Sequence, residues 1–580
     1  WFLCALTASA ACTEQSVDEV TQSTDDENEN SAPDQNNSQP ALVPPDSPQG
    51  PEPILAPDFT QWECPAGWLV GALPTADDMH GFHTCRPPEL PENCPAGYVP
   101  TLGQTECAPL GPACPQVEPW HEEVSLRART EGFNGPIHYV SIDGDDMEGD
   151  GSRAWPVATL QAALESAEPG DVIAVGPGEF TMAIAITKPV ALIGACAGST
   201  VVSSSVPSET NPVVEIDVED AEATVHISDL SVMGARGGVW MTSPGRAHIR
   251  AVAVGPSVGY GVFIHAPSAH MDIKDIAIEQ TQPWPGSQTH GRGLQIDSGG
   301  SCSLQRGFIH NNHDVGVFAF NPGSTVELED VAITHTSPRA NDQEFGRGIN
   351  IQDAAQVTVT RGLIDHNHEV GAGVIEESSK LVMTDVVITN IQPLASDQSL
   401  GRGINVQEKG RVEIRRALIQ DNRDIGVYAS GDATNITLED VAIVGTMPQA
   451  SDQINGRGLN IQQGARATVN RALITENHDT GVLAAESGAQ LIMSDVVVSR
   501  TQPQQGPPWS SIGISVQRGA TAEIHRTRLH QNQMLGVLVL GQGATLTGSH
   551  LQVTDTQPRG DDMAFGWGLS AEEGGAIDLG

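Results

Sequence analysis

Apolar and polar residues alternate along most of the chain in short bursts. Segments such as Gly348-Ile349-Asn350-Ile351 and Val357-Thr358-Val359 put an apolar residue at every second position, the signature of a strand with one buried face. The bursts recur with a fixed period. Gly238, Gly293, Gly348, Gly403, Gly458, Gly513 and Gly568 stand 55 residues apart, as do Gly261, Gly316, Gly371, Gly426, Gly481 and Gly536, and the two series are offset by 23. Each unit is therefore two sub-repeats, of 23 and 32 residues. Asp229 precedes Gly238 by nine positions, whereas Asp275, Asp330, Asp385, Asp440 and Asp495 precede their glycines by 18, so the longer sub-repeat is the shorter one plus a nine-residue insertion.

Coils of this length, with three short strands and no helix, predict an all-β fold: a right-handed parallel β-helix solenoid. Residues 185–580 hold about fourteen such coils, a rod of roughly 65–70 Å at about 4.8 Å per coil. A propeller also suits units of this size, but the two-coil substructure and the missing Trp-Asp signature argue against it. Asn312, Asn367, Asn422, Asn477 and Asn532 form a column one unit apart, placed to satisfy backbone groups of neighbouring coils. The open end of a solenoid must be covered. Pro156 at a first helical position, followed by Val157, Leu160, Leu164 and Ala167, predicts a short N-terminal capping helix within a cap region at 121–184.

The segments His138-Tyr139-Val140-Ser141-Ile142-Asp143-Gly144, Gly151-Ser152-Arg153-Ala154-Trp155-Pro156 through Leu164, Pro169-Gly170-Asp171-Val172-Ile173, Gly176-Pro177-Gly178-Glu179-Phe180 and Leu192-Ile193-Gly194 resemble the N-terminal signature of pectin-lyase-like, right-handed β-helix proteins. The resemblance covers about residues 137–200 and, through the repeats, the rest of the chain. It implies the fold, and it implies a superfamily of polysaccharide lyases and hydrolases, tailspikes, adhesins and surface proteins without selecting one. Of the hydrolase motifs of that superfamily only Asp-Asp pairs occur, and those within the cap and the repeats, Asp145-Asp146 and Asp561-Asp562, stand without their partners.

Charge and cysteines place the chain outside the cytoplasm. With 29 basic and 73 acidic residues the net charge is -44, which excludes a nucleic-acid backbone as partner. Residues 1–12 read as the end of a signal segment that lacks its basic start, and the small residues before Cys12 resemble a bacterial lipobox, which makes Cys12 the expected lipidation site. Residues 13–60, with eight prolines, eleven acids and no Lys or Arg, are expected to form a disordered tether. Residues 61–120 carry a small duplication, Cys64-Pro65-Ala66-Gly67-Trp68 and Cys94-Pro95-Ala96-Gly97-Tyr98. Each half has one further Cys, so Cys64 with Cys85 and Cys94 with Cys107 are the expected disulfides, with Cys114 left over and Cys196 and Cys302 as small buried residues. The last unit runs only from Gly568 to Gly580, so the natural chain is expected to continue past that point.

Candidate chemistry falls in three places. In the insertions, Asp342, Asp397 and Asp452 each precede by five residues Arg347, Arg402 and Arg457 of a Gly-Arg-Gly, and the first unit keeps Arg292. This ridge is a candidate ligand-binding surface; alternatively each Arg pins its loop by pairing with that loop's Asp or a neighbour's. Asp365, His366, His368 and Glu369 fall within one turn and are the candidate acid-base cluster, 366 and 368 pointing the same way if the segment is extended. Asp146, Glu148 and Asp150, followed by Gly151, resemble the start of a calcium loop, although Val157 stands where a Glu is expected; calcium is the only cofactor suggested. These features describe an exported bacterial protein of the outer membrane or cell surface, touching membrane only through a lipid anchor. Its expected role is binding or structural, with a polysaccharide or cell-envelope polymer as partner; the alternative is a polysaccharide lyase or glycoside hydrolase.

Overall fold

The computed structural model describes residues 63–72, 83–116, 118–129, 132–507, 510–559 and 564–580; Cys12, the acidic stretch 13–60, Trp509, Asp561 and Asp562 lie outside these. Alternation along the chain becomes inside and outside. In one coil the short strand Arg347–Ile351 buries Ile349 and Ile351, and the long strand Gln356–Asp365 buries Val357, Val359 and Ile364. The next coil repeats this with Val370–Val374 and Lys380–Thr389. Short strands pair in parallel and in one register, Val317 to Ile349 to Ala372 to Ile404, building a 15-stranded sheet from Ile184–Ile186 to Trp567–Glu572. Long strands build a second sheet of 19 strands. Each long strand is two faces joined at a corner: Thr224–Gly234 pairs through His226 and Ser228 with Ala191–Ile193, and through Ser231 and Gly234 with Thr200–Ser204. The coil therefore has three faces, and its interior is one continuous apolar core.

The corner within the long strand is turned by a single left-handed residue. Asp275, Arg306, Asp330, Arg361, Asp385, Arg416, Asp440 and Arg471 all have φ between 51° and 60°. For an L-residue this conformation costs roughly 1–2 kcal/mol. The column alternates Asp with Arg, and each Arg grips the Asp of the coil before it. Arg416 donates through Nε and Nη2 to the two oxygens of Asp385, both at 2.6 Å, and Arg306, Arg361, Arg471 and Arg526 hold Asp275, Asp330, Asp440 and Asp495 likewise. Bidentate pairing of this kind offsets part of the strain.

The corner between long and short strands is the one the asparagines serve. Asn422 is fully buried; its Oδ1 accepts from Ile391 N at 3.1 Å and its Nδ2 donates to Ile388 O at 3.2 Å, both in the preceding coil. Asn312, Asn367, Asn477 and Asn532 make the same two bonds. The amide replaces the coil-to-coil backbone bonds that the turn interrupts, as the column predicted.

At the N-terminal end, helix Leu160–Ser166 buries Leu160, Ala163 and Leu164 against the core that contains Ile184 and Ile186. Its N-cap is Thr159, whose hydroxyl accepts from Ala162 N at 3.2 Å, so Pro156 precedes the helix instead of opening it. A second short helix, Glu123–Arg129, carries no apolar periodicity long enough to have been read from the sequence. Both expected disulfides form, Cys64–Cys85 and Cys94–Cys107. Cys196, expected as a free buried residue beside Cys302, is instead bonded to Cys114 across 82 residues, a pairing between loop and solenoid that spacing alone does not reveal. Cys302 is free and buried, and burial pushes its thiol up. The cysteine-rich segment lies along one flank of the rod. Outward-facing Phe308, Ala332, Leu363, Val387, Leu418, Ala442, Leu473 and Val497 form an apolar stripe that clusters with Trp68, Leu90, Leu102 and the Cys64 and Cys85 bridge.

Replacing Asn422 with Ala leaves one buried N–H and one buried C=O unpaired, which should cost about 2–4 kcal/mol. Urea unfolding of Asn422→Ala against Gln420→Ala, at a half-exposed neighbouring position, measures it; equal midpoints would refute the structural role of the column.

Candidate functional site

The insertion ridge is built on salt bridges that consume its charges. Gly346, with φ 90°, turns the insertion back onto the rod and delivers Arg347 to the start of its strand. Arg347 is only 4% exposed. Its Nε and Nη2 donate to the two oxygens of Glu369 at 2.9 and 2.5 Å, and its Nη1 donates to Asn350 Oδ1 at 2.7 Å. Arg292, Arg402 and Arg457 each donate through Nε to one carboxylate oxygen, of Asp314, Asp424 and Asp479. The partner is thus an acid of the following short coil, 22 residues on, and not the insertion's own Asp. Asp342 binds Arg339 at 2.7 Å, Asp452 accepts from Gln449 Nε2 at 2.8 Å, and Asp397 accepts from Ser399 N at 2.8 Å. Guanidinium groups also lie over rings: Arg292 is 4.3 Å from the Phe318 centroid, Arg402 is 4.1 Å from Tyr428, and Arg347 is 4.5 Å from Phe345. Three of the five N–H donors of Arg347 are spent on Glu369 and Asn350, and its burial keeps the guanidinium away from a ligand.

The turn at 365–369 does not bring its four side chains together. Residues 366 and 369 have φ of 52° and 60°, so the segment is not extended and the same-side placement of 366 and 368 fails. His366 Nδ1 lies 2.8 Å from Asp365 Oδ1, and its ring stacks on His335 with centroids 4.9 Å apart. His368 donates through Nδ1 to the carbonyl of Thr336 at 3.0 Å, and Glu369 is spent on Arg347.

In the cap loop, Asp146 Oδ1 accepts from the backbone of Ala158 and Thr159 at 2.7 and 2.9 Å, and its Oδ2 accepts from the Thr159 hydroxyl at 2.8 Å. These bonds hold its carboxyl below the usual range, although partial burial opposes them. Asp150 caps the backbone of Ser152 at 2.9 Å, while Glu148 is exposed. Among the described residues, no three His, Cys, Asp or Glu side chains converge as a metal set.

A different constellation stands at the N-terminal end of the 15-stranded sheet. Strand Tyr260–His265 carries Tyr260, Phe263 and His265 outward, and the neighbouring strand Arg292–Asp297 carries Gln295 and Asp297. Tyr260 and Phe263 stack at 4.5 Å, with Trp240 and Trp284 edge-on to Tyr260 at 5.7 Å each. The indole of Trp284 lies so close over Gly259 that a Cβ there would meet it at 2.0 Å, which is why that turn needs glycine. A chain of polar contacts crosses this floor. Asp314 accepts from Arg292 Nε at 2.6 Å, Arg292 Nη1 donates to Gln295 Oε1 at 2.7 Å, Gln295 Nε2 donates to Asp297 Oδ2 at 2.9 Å, and Asp297 Oδ1 meets His265 Nδ1. The imidazole at the end of the chain is 54% exposed. Nearby His290 is pushed down to about 4, by burial first and then by Arg292, and is neutral at pH 7.

This cluster is not repeated. One unit further on, Asp297 becomes Gln352, and then Gln407, Gln462 and Gln517; His265 becomes Phe320, Ile375, Ser430 and Ala485. Comparing the units at an offset of 55 would have shown both departures; that the two residues face each other follows only from the strand register, which pairs His265 with Asp297.

A three-faced parallel coil with buried asparagine turns defines the class of right-handed β-helix proteins. Residues 216–390, 374–498 and 402–566 match the right handed beta helix region family, and the chain belongs to it. The chain matches no curated protein. Among solved structures it is similar to pectate lyase Pel9A, with 15% identity over 58% of this chain and 78% of that one, at a TM-score of 0.28. It is also similar to pectin methylesterase PemA from Erwinia chrysanthemi (11%, 44% and 80%, 0.27) and to the mannuronan C-5 epimerase AlgE4 A-module from Azotobacter vinelandii (12%, 76% and 100%, 0.25).

Because the Arg347–Glu369 pair is buried, Arg347→Ala should destabilise the chain by about 3–5 kcal/mol by leaving a carboxylate without its partner. Thermal melting of Arg347→Ala beside the double variant Arg347→Met/Glu369→Leu is the check. The double variant should recover most of the loss, and an unchanged melting temperature in Arg347→Ala would return the ridge to the ligand-binding reading.

Proposed function

We propose that this protein is an exported, surface-exposed β-helix that binds a polysaccharide or cell-envelope polymer. The observation that carries the reading is the aromatic floor of Tyr260 and Phe263 beside the exposed imidazole of His265 and the Gln295 and Asp297 side chains. Sugar rings present C–H faces that pack on aromatic rings and hydroxyl rims that bond to amides and carboxylates, so this mixture suits a glycan. Three disulfides support folding in an oxidising compartment. In this reading Cys12 carries the lipid, residues 13–60 are the tether, and the rod stands at the bacterial surface with the cysteine-rich segment along its flank.

A lyase or glycoside hydrolase is the second reading, and one observation favours it. The imidazole of His265 is fixed through Nδ1 by a carboxylate, which leaves Nε2 directed away from that bond and able to accept a proton. In the later units the positions of this pair hold Phe320 and Gln352, Ile375 and Gln407, Ser430 and Gln462, and Ala485 and Gln517, so it does not recur at that place in the repeat.

Incubation of the protein with a panel of neutral and acidic glycans separates the two. Binding should be seen, and Tyr260→Ala or His265→Ala should weaken it about tenfold, about 1.4 kcal/mol, with the melting temperature unchanged in His265→Ala and lowered in Tyr260→Ala, whose ring packs on Trp240, Phe263 and Trp284. New unsaturated or reducing ends that vanish in His265→Ala would establish catalysis, and binding that ignores both substitutions would remove the site. For the anchor, metabolic labelling with a fatty-acid analogue should tag the wild type and not Cys12→Ala; labelling that survives the change would refute the lipoprotein reading.

A further inference from the structure

The long sheet carries a second departure from the repeat, toward its C-terminal coils. Strand Thr521–His530 turns Ala522 and Ile524 into the core, so Glu523 and His525 face outward before the corner. The paired strand Thr545–Thr554 sets Ser549 directly beside His525. The three side chains are joined: His525 Nδ1 lies 3.1 Å from Ser549 Oγ, and His525 Nε2 lies 2.9 Å from Glu523 Oε1. A carboxylate can only accept, so in the neutral imidazole the ring proton sits on Nε2 and Nδ1 is left as an acceptor. The Ser549 hydroxyl then donates to Nδ1. His270 and His310 also set Nδ1 beside a hydroxyl, of Ser301 and Thr334, but no carboxylate meets their Nε2 among the described residues.

The trio is not part of the repeat. One unit upstream its three places hold Thr468, Asn470 and Ser494, and two units upstream Glu413, Arg415 and Glu439. The register gives His525 a second serine neighbour, Ser494 on the preceding strand, yet the hydroxyl bonded to the ring is that of Ser549. Another change accompanies this serine. The core position before it, filled by Val469, Met493 and Ile524 in earlier coils, is Gly548, where a Cβ would meet Ile524 O at 2.1 Å. Glycine thus lets the two strands approach closely at the point where Ser549 meets His525. Arg526, at the corner, donates to both oxygens of Asp495 and does not draw Glu523 away from the ring. The side chains of His525 and Glu523 are 35% and 56% exposed and Ser549 is half-buried, so a ligand can approach all three.

We propose that this trio is an ester-cleaving site, with Ser549 as nucleophile, His525 as general base and Glu523 as the positioning residue that holds the ring. In the first step Ser549 Oγ bonds to the carbonyl carbon of the ester while its proton passes to His525 Nδ1, and the imidazolium that forms is stabilised at Nε2 by the Glu523 carboxylate. The tetrahedral adduct then collapses: the bond to the alcohol oxygen breaks, and that oxygen leaves with the proton from Nδ1. Water repeats the sequence on the acyl-serine, releasing the carboxylic acid and restoring the Ser549 hydroxyl. The substrate class is a carboxylic ester with a small acyl group. Outward side chains on this sheet stand about 4.8 Å apart between strands and about 6.6 Å apart along one, which leaves room for a short acyl chain beside Ser549. On an open face in contact with water, an alkoxide is expelled more readily than the nitrogen of an amide. The site is separate from the aromatic floor, since its side chains belong to the long sheet and those of His265 and Asp297 to the short one. It adds an activity to the reading above and does not depend on it.

The test uses the full chain with two probes, a fluorophosphonate that traps an activated serine and p-nitrophenyl acetate as the ester. Peptide mass mapping should place the phosphonate on Ser549, and nitrophenolate should be released from the ester. Both signals should be lost in Ser549→Ala and fall by about a hundredfold or more in His525→Gln, the range that loss of a general base produces. Glu523→Gln should lower kcat for the ester about tenfold and leave KM unchanged, because an amide can donate to Nε2 and so favour the ring tautomer whose Nδ1 no longer accepts. Ser494→Ala, on the other side of the ring, should leave both signals unchanged. Should His525→Gln lower the melting temperature, Glu523→Gln, at the more exposed position, keeps the comparison. Absence of a phosphonate adduct, an adduct confined to other residues, labelling of Ser549 that survives His525→Gln with the fold intact, or ester cleavage that persists in Ser549→Ala would overturn the assignment. Binding of a glycan that depends on Tyr260 and His265 would be unaffected by any of these outcomes.

Discussion

Coils paired in parallel and in register put every side chain next to its counterpart in the coil before and the coil after, about 4.8 Å away. Like then stacks on like along the whole rod. For apolar residues inside, and for asparagines that bond to the neighbouring backbone, this is favourable. For charged residues it is not, because a column of one sign would repel along its length. The corner column resolves the conflict by alternating Asp with Arg, as in Asp330 and Arg361, Asp385 and Arg416, Asp440 and Arg471. Under the insertions Arg347 alternates with Glu369 and Arg402 with Asp424 for the same reason. Alternation of sign requires two coils per period. The 55-residue unit is therefore an electrostatic unit as much as a topological one, and the nine-residue insertion marks which of its two coils is which.

The same stacking explains what could be read in advance. Periodicity of glycine and of apolar alternation showed coils, and Asn312, Asn367 and their successors showed a turn whose backbone needs an amide, because those signals repeat at one fixed spacing. Partnerships between coils were harder. Arg416 meets Asp385 from 31 residues away and Arg347 meets Glu369 across 22, and neither separation is legible until the strand register is known. Local geometry misled where it assumed extension: φ values of 52° and 60° at His366 and Glu369 scatter a cluster that looked contiguous. The Cys114–Cys196 bond and the stripe from Phe308 to Val497 were hidden because both join the N-terminal segment to the solenoid, a relation that no repeat encodes.

A repeated residue is offered to the surroundings once every two coils, and what it can do is limited to scaffold or to binding something equally periodic. In this chain many periodic polar groups bond to one another: Arg347 to Glu369 and Asn350, and Asn422 to the backbone. Chemistry that faces outward has to come from departures. These concentrate in the coils nearest the cap, where Gln295 is one methylene longer than the Asn350, Asn405 and Asn460 that follow it in the repeat. That extra length lets the arginine-amide contact continue to Asp297 and on to the exposed His265, whereas Asn405 ends the chain at Arg402. A single longer side chain thus converts a closed structural pair into an open polar relay. The downstream units, with Asn350, Asn405 and Asn460 and then Ser515 at the amide position and Gln352, Gln407, Gln462 and Gln517 at the relay's end, extend the rod without repeating this relay.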